Sequence, residues 1–293
     1  EIAQCLVGSE MCIRDRFSYD TTEGEQLEVR MGVSFVSVEN ARLNLEAEQQ
    51  GRSFDDIRAA ARRTWNDDLG RIRVEGGTEA QKKVFYTGLY HALIHPNVLS
   101  DVNGEYPAME SAEIRTAEGN RYTVFSLWDT YRNLHQLLTL VYPERQLEMV
   151  RSMVGMYREW GWLPKWELYG RETFTMEGDP SIPVIVDTWM KGLRDFDMDA
   201  AYEAMRKSAT TPGARNRMRP DIDPYIEKGY VPLGFYARDL SGDNSVSHAL
   251  EYYIADHALS LLADSLGKKD DAALFRARSL GYKNYYSTES GTF

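Results

Sequence analysis

The hydrophobic pattern changes period once along the chain. Over residues 27–38, Leu27, Val29, Met31, Val33 and Phe35 alternate with other positions. That two-residue period predicts a half-buried strand. A lone strand is not stable, so residues 17–38 read as the tail of a sheet whose other strands lie upstream. Residues 39–77 then read as a helical linker, with Ser53 and Asp56 forming a helix start. Ile57, Ala61, Trp65 and Leu69 make a four-residue stripe that ends at Gly70. From residue 78 to residue 293 helices dominate. Thr78-Glu79-Ala80-Gln81 is a capping box opening a helix through Val84, Phe85, Leu89 and Leu93, stopped before Pro96. Further helices are predicted over 127–141, 143–157, 182–191, 199–208, 246–266 and 270–283. No repeat of 20–50 residues accompanies them, which disfavours a simple solenoid. Paired helices closing into an α/α toroid fit better, so the fold class is mainly α.

Composition narrows the function classes. The 293 residues carry a net charge of −11 with 43% hydrophobic and 27% charged residues. This is a globular composition, and its acidity argues against nucleic-acid or anionic-membrane binding. No apolar stretch approaches a membrane span. Leu6–Arg16 resembles the conceptual translation of a transposon adaptor, so residues 1–16 are set aside as probable non-native sequence. Both cysteines, Cys5 and Cys12, fall there. The rest of the chain therefore has no disulfide and no thiolate metal site. Ser290-Gly291-Thr292-Phe293 has no terminating pattern, and a fragment truncated at both ends is expected.

Candidate chemistry gathers in two long aromatic connections, 160–181 and 210–244. No phosphate loop, serine-hydrolase elbow or zinc-protease helix is present. His91 and His95 are four apart but lack an adjacent Glu, which favours a structural or surface pair over a metal site. What remains are carboxylates beside aromatics: Asp129 after Trp128, Asp179 before Pro180, and Glu251 early in a long helix. Asp129 and Asp179 read equally as helix caps, and Glu251 as a dipole complement. Their functional reading is a sugar site. Indole faces cover the C–H surface of a pyranose, and carboxylates bind hydroxyls or supply the acid and base of glycosidic cleavage.

At these residues a resemblance enters. Phe125-Ser126-Leu127-Trp128-Asp129-Thr130-Tyr131-Arg132 resembles the signature of glycoside hydrolase family 92. Gly161-Trp162-Leu163-Pro164-Lys165-Trp166, Gly178-Asp179-Pro180 and Ser247-His248-Ala249-Leu250-Glu251-Tyr252 follow in the order of that family's motifs. The sequence departs from the family pattern at His248, where Lys or Arg-Thr is more usual. The resemblance implies a β-sandwich, a helical linker and an (α/α)6 toroid. It also implies calcium-dependent, inverting exo-α-mannosidase activity on mannose-containing glycans, in an exported protein, periplasmic or secreted. By resemblance Glu251 is the general acid, and Asp101, Trp128, Asp129, Arg132, Trp166 and Asp179 line the mannose pocket. The Ca2+ ligands and general base are expected beyond Phe293, which predicts that the fragment alone is inactive. Two alternatives stay open: another inverting glycosidase or phosphorylase on the same toroid, and a non-catalytic helical carbohydrate-binding or scaffold protein.

Overall fold

A computed structural model describes residues 18–234 and 244–292. The adaptor-like segment 1–16, with both cysteines, lies outside the described residues. The chain divides into two compact units, residues 1–31 and 32–293.

In the first unit, the described residues from 18 onward hold one turn, in which Thr22 accepts from the backbone N–H of Glu25. The strand predicted over 27–38 is not formed. Leu27 and Val29 remain 54% and 76% exposed, and in the second unit Val33 and Phe35 are also exposed. Alternation describes a face suited to packing, but strand geometry also requires a neighbour to take the backbone hydrogen bonds.

The second unit begins with α1 (Val38–Gln49), α2 (Phe54–Leu69) and α3 (Glu79–Ala92). Ser37 caps α1, while α2 and α3 open with full capping boxes, Ser53/Asp56 and Thr78/Gln81. Both boxes satisfy N–H groups that the first helical turn leaves without partners. Because α3 ends at Ala92, His91 and His95 do not share a helical face.

Four short strands follow: β1 (Asn97–Val98), β2 (Glu105–Pro107), β3 (Ile114–Thr116) and β4 (Tyr122–Thr123). β1 pairs with β4 and β2 with β3, all antiparallel. A buried Glu159 holds this region, accepting two bonds from Arg121 (3.0 and 2.8 Å) and one each from Tyr106 and the Met109 N–H.

β5 (Phe125–Ser126) leads into α4 (Leu127–Thr130), α5 (Leu134–Val141) and α6 (Pro143–Trp160). The single helix predicted over 127–141 is thus broken, with Asn133 leaving helical geometry at φ −154°, ψ −25°. β6 (Trp166–Leu168) pairs antiparallel with β5 and with β7 (Arg171–Glu172). The chain continues through α7 (Ser181–Met190), α8 (Met198–Thr210), α9 (Ile222–Lys228), α10 (Ser245–Ser265) and α11 (Lys269–Ser279). α10 packs on α11, α7 and α8, and α6 packs on α5, α7 and α8. Leu138, Met153, Ile182, Ile185, Leu259 and Leu262 are almost fully buried in the core they share. Burying each such side chain contributes about 1.5–3 kcal/mol.

Candidate active site

The break after α4 builds the site. Trp128, Tyr131 and Arg132 have i, i+3, i+4 spacing on one helical turn, so their side chains emerge on one face. All three reach Glu251 on α10. The Trp128 indole Nε1 and the Arg132 Nη2 donate to Oε1 at 3.2 and 3.0 Å, and the Tyr131 phenol donates to Oε2 at 2.6 Å. The Arg132 guanidinium lies over the rings of Trp128 and Tyr131, 4.9 and 5.0 Å from their centroids. Burial, then the bond to Glu251, raises the Tyr131 phenol's pKa, so it stays a proton donor.

The loop before α7 closes against the aliphatic stem of the same residue. Gly178 adopts φ +74°, and a Cβ there would overlap that of Glu251. His248, one helical turn before Glu251, turns to the same loop and places Nε2 2.6 Å from Glu177 Oε2. Its Nδ1 meets the Tyr252 hydroxyl at 3.2 Å, and that hydroxyl donates to Asp221 at 2.6 Å. Where the family resemblance sets a longer basic side chain, the shorter imidazole here completes a buried chain of polar contacts.

The other sequence-predicted residues are placed differently. Trp166 is paired with Ser126 across β5–β6, one residue from α4, and its indole N–H is buried without a hydrogen-bond partner. Asp129 is exposed and accepts from the Ser126 hydroxyl. Asp179 is buried and caps no helix: its carboxylate accepts from the Ser208 hydroxyl and from Arg219 Nε. Arg219, itself fully buried, also donates to Asp256 at 2.7 Å. Asp101 is not hydrogen-bonded to the Glu251 cluster. It accepts from Ser34 (2.6 Å), Asn40 (2.8 Å) and Asn44 (2.7 Å), and so ties α1 to the segment after β1.

A family model described as the glycosyl hydrolase family 92 catalytic domain matches residues 40–293. The chain belongs to glycoside hydrolase family 92. It is 32% identical to a family 92 inverting mannosidase of Bacteroides thetaiotaomicron VPI-5482, with a TM-score of 0.81 over 88% of this chain and 35% of that one. A second family 92 alpha-mannosidase of Bacteroides thetaiotaomicron, solved with mannoimidazole, is 35% identical at a TM-score of 0.79, covering 88% of this chain and 32% of its own. Among curated proteins, an uncharacterized secreted glycosidase of Arthroderma benhamiae is 26% identical over 95% of this chain and 33% of its own length. The chain therefore spans about a third of the relatives it matches.

Sequence reasoning named Glu251, Trp128 and Arg132 but left Tyr131 and Gly178 without a role. The i, i+3, i+4 spacing of Trp128, Tyr131 and Arg132 carried the signal, but the apolar run after it read as one continuous helix. For calcium, no group of three His, Cys, Asp or Glu side chains able to hold a metal ion occurs among the described residues. No calcium site is therefore assigned among the described residues. Among the described residues, no helix is long and apolar enough to cross a membrane.

Proposed function

We propose that this chain is the acid-bearing part of an inverting exo-α-mannosidase that removes terminal mannose from glycans, with Glu251 as general acid. The observation that carries this reading is the convergence of Trp128, Tyr131 and Arg132 on one carboxylate at the mouth of an aromatic turn. Such a carboxyl group, held on rigid helices beside indole faces, suits protonation of a glycosidic oxygen. Trp128 and Trp166 supply apolar faces for the sugar ring. Asp129 stands on the exposed side of the turn for a hydroxyl. Asp179 acts from below, fixing Gly178 against Glu251. The proposed frame is the first part of an (α/α)6 toroid behind a helical linker, in an exported protein.

Inversion needs a second carboxylate to activate water, roughly 6.5–9.5 Å from the first. By the resemblance to family 92, that base and the calcium ligands are assigned to sequence beyond Phe293, and Asp101, Asp129 and Asp179 are each engaged by other side chains. The chain alone is accordingly expected not to turn over substrate. The test uses the complete open reading frame. Glu251→Gln should lower cleavage of an unactivated α-mannobioside by at least about 100-fold, while sparing a substrate whose leaving group needs no proton. Equal losses on both substrates would overturn the assignment of the acid.

A further inference from the structure

The two oxygens of Glu251 have unlike surroundings. Oε1 receives the Trp128 indole N–H and the Arg132 guanidinium, neither of which can accept a proton. Oε2 faces the Tyr131 hydroxyl, which both donates and accepts. A carboxyl proton on Oε1 would point at two donors. On Oε2 it meets a group able to reorient. We infer that Oε2 is the oxygen from which the proton leaves, and that Tyr131 is the positioning residue beside it, a hydroxyl that can turn aside to leave the Oε2 proton to the bridging oxygen and donates to Oε2 as Glu251 discharges. This rests on Glu251 being the general acid.

The step balances. The Oε2–H proton passes to the bridging oxygen as the bond between that oxygen and the anomeric carbon breaks, and the bond's electron pair stays on the departing oxygen. Water adds to the carbon, and a second carboxylate takes its proton. The charge left on Oε2 is met by the Tyr131 O–H at hydrogen-bond distance, while Trp128 and Arg132 hold Oε1 and so fix the plane of the carboxyl group. Tyr131 is 7% exposed, which keeps water from substituting for its hydroxyl.

The experiment compares Tyr131→Phe, Glu251→Gln and the parent in the complete protein, on an unactivated α-mannobioside and on 2,4-dinitrophenyl α-mannoside. For Tyr131→Phe, kcat on the mannobioside should fall about ten-fold or more with KM little changed, and the loss on the activated substrate should be much smaller. Without the phenolic donor, the alkaline limb of the kcat–pH profile should move to higher pH. Incorporating 3-fluorotyrosine at position 131, a stronger donor of nearly the same shape, should move that limb to lower pH, and it decides the matter if the Phe variant does not fold. A limb that stays in place with 3-fluorotyrosine overturns the role of Tyr131. A Glu251→Gln variant that keeps its activity on the mannobioside overturns the acid assignment instead, so the two failures are distinct.

Discussion

Gly178 and Glu251 are packed so closely that no Cβ fits between them: one built on Gly178 would overlap the Cβ of Glu251 and come within 3.2 Å of its Cγ. The backbone at Gly178 is also left-handed, at φ +74°. The loop therefore acts as a wall against the Cβ and Cγ of Glu251, whose carboxylate takes the three donors of the α4 turn. Gly178→Ala meets both penalties. The left-handed conformation costs about 1–2 kcal/mol for an L side chain, and the overlap must move either the loop or Glu251. The expected result is a loss of activity on an unactivated mannoside far beyond what the drop in melting temperature accounts for. Kinetics and calorimetry on one preparation of the complete protein check it, and unchanged kcat in a destabilised protein would remove Gly178 from the site.

Asp101 tests where the pocket ends. Its carboxylate accepts from Ser34, Asn40 and Asn44, and the two asparagines lie four apart on one face of α1. Asp101→Ala removes one acceptor from each donor, leaving Asn40 to Glu105 and Asn44 to the Val33 carbonyl, and an unsatisfied buried donor costs about 1–3 kcal/mol. Amide hydrogen exchange across residues 38–49 should rise, while KM for an α-mannoside moves little. A large rise in KM with unchanged exchange in α1 would instead return Asp101 to the sugar pocket.

Arg219 and Asp256 are both fully buried and form an ion pair at 2.7 Å, with the Tyr225 hydroxyl donating to the second Asp256 oxygen at 2.8 Å. Asp179 shares the same guanidinium. Removing one partner of a buried pair leaves an uncompensated charge, so Asp256→Ala should destabilise by about 3–5 kcal/mol. Asp256→Asn, which keeps an acceptor, should cost less. Urea unfolding of the three proteins gives the comparison. Because Asp179 follows Gly178, loosening Arg219 should also weaken the wall behind Glu251, and catalysis should fall in the same order as stability.

How much of this was legible depended on whether a signal is local. The capping boxes at Ser53 and Thr78 were readable because Asp56 and Gln81 stand three residues on and no distant partner is needed. The long helix bearing Glu251 was readable from its length. The break between Thr130 and Leu134 was not, because Leu134, Leu137, Leu138 and Val141 continue an apolar rhythm that hides a change of direction. What fixes that break is tertiary. The Thr130 hydroxyl meets His135 Nε2 at 3.0 Å, and the buried Gln146 takes the other ring nitrogen at 2.9 Å. Residues 27–35 misled in the opposite sense, since alternation promises a buried face and cannot say what covers it. The Arg219 network stayed hidden within the long connection 210–244, because the partners of Arg219 lie 37 and 40 residues away in sequence.

Two buried groups should shape stability against pH in opposite directions. His135 is buried among Gln146 and Thr130, and burial depresses its pKa from 6.5 to about 4. The folded state then holds it neutral while the unfolded chain takes up a proton. Its contribution is complete above about pH 6.5 and is lost as pH falls through 4. Glu167 is buried beneath the Thr123 hydroxyl and the N–H groups of Val124 and Gly170. Burial outweighs those bonds and pushes its carboxyl from 4.5 up to about 7. Here the folded state binds the proton more tightly, so the contribution is complete below 4.5 and is lost as pH rises through 7. Each limb is worth at most about 3–4 kcal/mol, given 1.36 kcal/mol per pKa unit. Unfolding midpoints in urea from pH 4 to pH 8 should separate them. His135→Asn should flatten the acid limb alone, and Glu167→Gln the limb toward pH 7. A His135→Asn protein whose acid limb keeps the parent's slope would show that other groups carry that loss.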